Sequence, residues 1–282
     1  MKHNIKIYRE IIQRTDAWLE IKRGKASGSK VKPVLSSRTP APLMTYAYEL
    51  IAQDEYKHKM HYEEGFLSKG VQWGRDMEPI AIKRFEDEYM KITEEVGWIE
   101  SEDPKLKHRH GCSPDGIIDI WSWIEVKCLN TANHLRAVVN NKVPTEHMPQ
   151  IINYFVTNVD LHIVYFILFD PRVKTESKQL HVIEIKREDI VDKVDEGYEK
   201  IVKFLDMKDA LYNEFKGPKV CKKCGESKDR SEFMKHWHAK DGIMGICKEC
   251  KVKSHKKPRK RKKRNWKKEA ANRELKKKQN NE

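Results

Sequence analysis

What the chain lacks narrows its class first. No apolar run in its 282 residues approaches the roughly 20 needed to cross a bilayer, and its opening residues carry no apolar core of the secretory-leader kind. The expectation is a soluble protein that stays in the cytosol of the cell that makes it. No internal repeat is present. Residues 1–216 lack a positive excess, with 33 Lys and Arg against 35 Asp and Glu, so any polyanion held there needs a local basic track. Residues 251–282 lack acidic and apolar character instead: 16 Lys and Arg stand against three Glu, a net +13 of the chain's +14. With only Val252, Trp266, Ala270, Ala271 and Leu275 to bury, this tail is expected to be disordered or partly helical when free. Its centre, Pro258-Arg259-Lys260-Arg261-Lys262-Lys263-Arg264, suits sequence-independent binding of phosphates that weakens steeply with salt. A nuclear-import signal has the same composition.

Cysteine is sparse, at six residues. Cys112 and Cys128 read as small packed thiols, not a disulfide. The other four fall in two pairs, Cys221-x2-Cys224 and Cys247-x2-Cys250, with Gly225, Phe233, Asp241 and Gly242 between them. Four thiolates at this spacing suit a structural, tetrahedral Zn2+, around which a segment of about 30 residues folds although too small to own a core. A redox dithiol would need only one pair. His236, His238 and His255 lie nearby, but no second catalytic motif accompanies them, so they read as surface or DNA-facing residues.

The motif richest in chemistry is Gly111-Cys112-Ser113-Pro114-Asp115-Gly116, followed by Glu125-Val126-Lys127. Side chains two apart on a strand share a face, which groups Trp123, Glu125 and Lys127. A hairpin turning near residue 120 would set Asp115 opposite Glu125. Glu-Val-Lys alone also describes a solvated strand face; the preceding Ser-Pro-Asp-Gly favours a site. Two carboxylates beside an ammonium suit Mg2+ or Mn2+, which would polarise a scissile phosphate and acidify a water. Lys127 would orient the attacking water or offset charge growing on the phosphorane.

These residues, with others in order along the chain, resemble the lambda exonuclease group, or YqaJ-type viral recombinases, within the PD-(D/E)XK nucleases. Gln13-Arg14-Thr15-Asp16-Ala17-Trp18-Leu19, with Arg23-Gly24-Lys25 and Ser27-Gly28-Ser29, resembles the family's opening block. Gly74-Arg75-Asp76-Met77-Glu78-Pro79-Ile80-Ala81 resembles its acidic helix, His147-Met148-Pro149-Gln150 its Tyr-x-x-Gln helix, and Phe169-Asp170-Pro171-Arg172-Val173-Lys174 its strand-end motif. The resemblance spans residues 12 to about 205. It implies Asp115, Glu125 and the Val126 carbonyl as metal ligands, Lys127 as catalytic lysine, Glu78 as an acid near the metal waters, and Gln150 as support for the lysine and substrate. Gln150-x-x-x-Tyr154 also resembles a helix motif of helicase-associated nucleases. Lys22, or Arg23 in its place, with Ser29 and Ser113, falls on the pocket for a 5′-phosphate. His147 stands where the family has tyrosine.

The fold so implied is α/β (α+β), restriction-endonuclease-like, with a mixed central sheet flanked by helices. The domains expected are residues 1–216 (nuclease), 217–252 (zinc module, after the linker Lys216-Gly217-Pro218) and 253–282 (basic tail). Helices are predicted near 15–22, 41–54, 74–89, 145–158 and 189–213, a strand pair across 110–128, strands at 161–169 and 179–186, and a loop over 55–72. The resemblance implies a Mg2+-dependent exonuclease on duplex DNA ends, digesting the 5′-terminated strand, forming a homotrimeric ring, and partnered by a single-strand annealing protein. A viral chain would act in the host cytoplasm, and beside a nuclease domain the tail reads as a DNA tether more than an import signal. The zinc module and tail depart from the minimal family architecture. They leave open an endonuclease or nickase that the module directs; a DNA-binding scaffold with an inactive nuclease fold is the other alternative, against which the intact Asp115, Glu125 and Lys127 argue.

Overall fold

The computed structural model describes residues 4–62, 68–236, 239 and 241–255, apart from the side chains of Ser29, Ser254 and His255. His238, the basic tail beyond residue 255 and the Ser29 hydroxyl, all singled out by the sequence, lie outside the described residues. The chain divides into two compact units, Met1–Tyr212 and Asn213–Glu282.

In chain order the elements are β1 (Ile5–Tyr8), α1 (Asp16–Lys22), β2 (Ala26–Ser27), α2 (Lys32–Ser36), α3 (Pro40–Glu55), α4 (Lys69–Tyr89), β3 (Trp98–Ser101), β4 (His110–Cys112), β5 (Gly116–Ile117), β6 (Ser122–Lys127), α5 (Thr131–Asn140), α6 (Met148–Thr157), β7 (Ile163–Phe169), β8 (Leu180–Lys186) and α7 (Val191–Lys216). The second unit adds β9 (Lys219–Val220), β10 (Ser227–Lys228), β11 (Phe233–Lys235), β12 (Ile243–Cys247) and α8 (Lys248–His255). Among the described residues no helix is long and apolar enough to cross a membrane.

The central structure is mixed α/β, but where the sequence suggested one sheet there are two of four strands each, ordered β1-β3-β4-β2 and β5-β6-β7-β8. In the second, β6 runs parallel to β7 and antiparallel to β5, while β8 closes the far edge antiparallel to β7. The run Ile163-Val164-Tyr165-Phe166-Ile167-Leu168-Phe169 is apolar throughout because β7 is paired on both sides and packed on both faces. On one face Trp123, Val164, Phe166 and Leu168 meet Ile151, Tyr154 and Phe155 of α6. On the other, Ile124, Val126, Ile167 and Phe169 meet Ala81 and Phe85 of α4. The period of two along β6 thus sends Glu125 and Lys127 toward α6.

Several boundaries differ from expectation for local reasons. Helix α4 begins at Lys69, inside the expected loop, because the Ser68 hydroxyl caps it by accepting from the Val71 N–H at 3.3 Å. Pro79 lies within it. Helix α5 was not predicted; it is polar, and the Asn130 side chain caps it at the Asn133 N–H. Strands β1, β2 and β3 also escaped notice, since two to four residues carry too few periods to read. Gly111 is required where β4 packs on β3, because a Cβ there would stand 2.5 Å from both the Ile99 carbonyl oxygen and the Trp98 ring.

Candidate active site

The hairpin β5–β6 builds the centre of the site. Its last cross-strand pair toward the turn-distal end is Gly116 with Ile124, so Asp115 and Glu125 come next, one on each side of the ladder. The Asp115 carboxylate accepts the Val126 N–H at 2.7 Å. An extended residue points its N–H and C=O from the same strand edge, so the Val126 carbonyl leaves β6 on the Asp115 side, where β5 is too short to pair with it.

Glu125 is fully buried. One of its oxygens pairs with the Lys127 ammonium and the other accepts the Tyr154 hydroxyl proton. The Gln150 side chain, one turn earlier on α6, donates to the Tyr154 oxygen at 2.8 Å. Burial first, and then the neighbouring Asp115 charge, push the Glu125 carboxyl up to about 7. Burial works against the Lys127 charge, but the Glu125, Asp115 and Glu78 carboxylates outweigh it and hold the ammonium above the usual lysine range. Glu78 projects from α4; its carboxyl is raised by burial and then by Asp115, against the Arg14 guanidinium 3.3 Å away.

The Asp115 charge disfavours ionisation of both Glu78 and Glu125 beside the half-buried Lys127 ammonium, an arrangement a divalent cation relieves. The donors Asp115, Glu125 and the Val126 carbonyl are all oxygen, as hard cations such as Mg2+ require. The residues present therefore fit such an ion.

The residues expected at a phosphate pocket divide. Lys22 lies with its ammonium 3.7 Å from the centre of the Trp18 ring, and burial, followed by repulsion from Lys30, lowers its pKa to about 8. Arg23 does not stand in for it. Its guanidinium donates to the Gln53 carbonyl at 2.6 Å, to the Tyr56 carbonyl and to Glu20, closing on the C-terminal end of α3. Ser113 accepts the Trp18 indole N–H at 2.9 Å and donates its only proton to the Gly97 carbonyl at 2.5 Å. In this arrangement it positions Trp18 and has no proton left for a phosphate.

Two features escaped the sequence reading. Tyr154 entered the sequence reading only through the Gln150-x-x-x-Tyr154 motif, without a role of its own, whereas its hydroxyl links Gln150 to Glu125; the i,i+4 spacing was the available signal. Arg14 had no role assigned although it faces Glu78. His147, in place of the family tyrosine, is held neutral by burial and then by Lys127, with its pKa near 4. The strand-end motif is a lock: buried Asp170 is gripped by the Arg172 guanidinium at 2.7 Å and accepts the Thr131 hydroxyl at 2.6 Å. Cys112 and Cys128 are free thiols, as expected.

In the second unit the ligand atoms of Cys221, Cys224, Cys247 and Cys250 all lie within 4.8 Å of one another, and can hold a metal ion. Backbone N–H groups of Cys224 and Cys247 lower the Cys221 pKa to about 6, which favours its thiolate, whereas burial and the neighbouring thiols push Cys250 up to about 12. No histidine joins this cluster among the described residues.

A model of the YqaJ-like viral recombinase domain matches residues 17–160. No curated protein matches. Among solved structures, the chain is similar to LHK-Exo in complex with dAMP, at 26% identity and a TM-score of 0.61, covering 72% of this chain and 96% of that one. A second structure of LHK-Exo, an alkaline exonuclease from Laribacter hongkongensis, gives 24% identity and a TM-score of 0.60 over the same shares.

Proposed function

Because the chain belongs to the YqaJ-like viral recombinase family and is a DNA exonuclease, we propose that it uses Mg2+ or Mn2+ to digest duplex DNA ends from the 5′-terminated strand. The product is a 3′ single-stranded overhang, the substrate of a single-strand annealing protein, and a homotrimer around the duplex would make digestion processive. The observation that carries this reading is the meeting of Asp115, Glu125 and Lys127, with Glu125 buried between the ammonium and the Tyr154 hydroxyl.

Asp115, Glu125 and the Val126 carbonyl would hold the cation, which supplies Lewis acidity to the scissile phosphate and to an attacking water. The chain's own groups do the rest. Lys127, kept charged by the surrounding carboxylates, offsets the negative charge that grows on the phosphorane. Tyr154, itself held by Gln150, fixes the orientation of the Glu125 carboxylate beside Lys127. Glu78 takes hydrogen bonds from water at the rim, and Lys22 on Trp18 meets the terminal phosphate as a point charge. Zn2+ on the four cysteines folds the second unit, and together with the basic tail this unit adds grip on DNA.

The test is a time course on linear duplex labelled at either end of one strand, with Mg2+ and with chelator. Early release of the 5′ label and late release of the 3′ label are expected, with no release in chelator. The reverse order overturns the polarity, digestion in chelator overturns the metal, and equally fast loss of covalently closed circles makes the enzyme an endonuclease.

A further inference from the structure

The segment before α1 is held in an unusual way. Gln13 donates from its side-chain amide to the carbonyls of Val96 and Pro114, both at 3.0 Å, which ties it to the residue just before Asp115. Thr15 donates to the Ile12 carbonyl at 2.7 Å and caps α1 by accepting from Trp18. Between these two anchors Arg14 has φ of 61°, a left-handed conformation that few residues with a Cβ adopt. The conformation aims its guanidinium at Glu78, with Nη2 3.4 and 3.3 Å from the two carboxylate oxygens.

Those contacts are long for a charge-assisted pair, whose usual separation is about 2.7–2.9 Å. The Arg14 side chain is also 40% exposed. It lines an open cleft of about 460 Å³ together with Glu78, Asp115, Arg75 and Lys83. Of these cations, Lys83 is held by Asp87 at 2.7 Å and Arg75 donates to the Tyr62 hydroxyl at 2.7 Å. Arg14 meets an acid of the active site itself, Glu78. The first 216 residues carry no net positive charge, so a phosphodiester entering this cleft depends on cations placed one by one.

We propose that Arg14 is a phosphate-contacting residue of the nuclease, which neutralises Glu78 in the free enzyme and moves its guanidinium onto a non-bridging oxygen of the strand being cut. The inference rests on the nuclease reading above and adds a residue to it. The exchange is nearly balanced, because the loose pair with Glu78 is given up for a planar, two-pronged contact with phosphate. Glu78 is then released to accept from water. The strained backbone is the cost of holding the guanidinium at the mouth of the cleft before DNA arrives.

Three variants of the full chain test this, by steady-state digestion of linear duplex across a salt series. Arg14→Gly suits the backbone, since glycine adopts positive φ freely, so its melting temperature should equal or exceed that of the unmodified protein. Its kcat/KM should nevertheless fall on the order of 10²-fold, and its salt dependence should flatten by about one phosphate contact. Arg14→Gln should lose the same contact, and Arg14→Lys should recover part of the loss through its charge. Full activity in Arg14→Gly overturns the proposal, as does a loss that Arg14→Lys does not relieve or that leaves the salt slope unchanged. An unmodified chain that leaves DNA ends intact overturns the nuclease reading and this one together, whereas an active chain with indifferent Arg14 variants overturns only this one.

Discussion

The two units of the chain solve the problem of holding polar ligands in opposite ways. In the first, aromatic and branched side chains bury both faces of β6 and β7, and that core is large enough to carry the unfavourable burial of Glu125. In the second, the buried cluster among the described residues is Cys221, Phe233, Cys247 and Cys250, with Ile243 and Ile246 packed against it. There the ligands are most of the core. A site set into an existing core can be altered without unfolding its host, while a site that replaces the core cannot.

The sharpest way to break this comparison is to alter the acids. Asp115→Asn or Glu125→Gln should reduce digestion to background, while circular dichroism and DNA binding stay as they were. Unfolding of either variant would show that the acids hold the fold, as the cysteines are expected to.

Next in size is removal of the zinc proposed for the four cysteines, since such binding is worth about 10 kcal/mol or more in small zinc-folded segments. Cys221→Ser, or a zinc-selective chelator in excess Mg2+, should abolish amide protection in residues 219–250 and leave that of β6 and β7 intact, read by hydrogen exchange. Digestion should persist at low salt and weaken at moderate salt. Protection that survives in the second unit would mean that its small apolar cluster suffices.

Acid should separate the units more gently. His110 is fully buried, with Nε2 2.5 Å from the Asn153 side-chain oxygen, and burial lowers its pKa to about 4. A histidine depressed in the folded state contributes stability above its ordinary pKa near 6.5, and that contribution is lost as pH falls through about 4. The difference is about 3 kcal/mol. Denaturant titrations at pH 7 and pH 4 should show it, and His110→Gln should lack it.

The smallest effect expected is that of Tyr154→Phe. Losing a hydrogen bond to a charged group costs about 1.5–3 kcal/mol. Because that bond orients Glu125, the cost should appear mainly in kcat, with KM little changed; a change confined to KM would place Tyr154 on the substrate instead.

What the sequence determined by itself follows from short-range geometry. Glu125 and Lys127 share a face because strand side chains alternate, Asp115 reaches them across one hairpin, and the four cysteines converge because two close pairs close a small loop. The apolar run over 161–169 was equally legible as a strand, whereas its pairing on both sides came from the structure. Contacts across long chain separations were decided only by tertiary packing: Arg14 on Glu78, Tyr154 on Glu125, Ser113 beneath Trp18, and Arg23 turned toward the end of α3. Each depends on the angle at which one element lies against another. The sequence offers the same arginine whether it faces a phosphate or a carbonyl, because its donors suit both, and only the placement of the Arg23-Gly24 link beside the end of α3 selects the carbonyl.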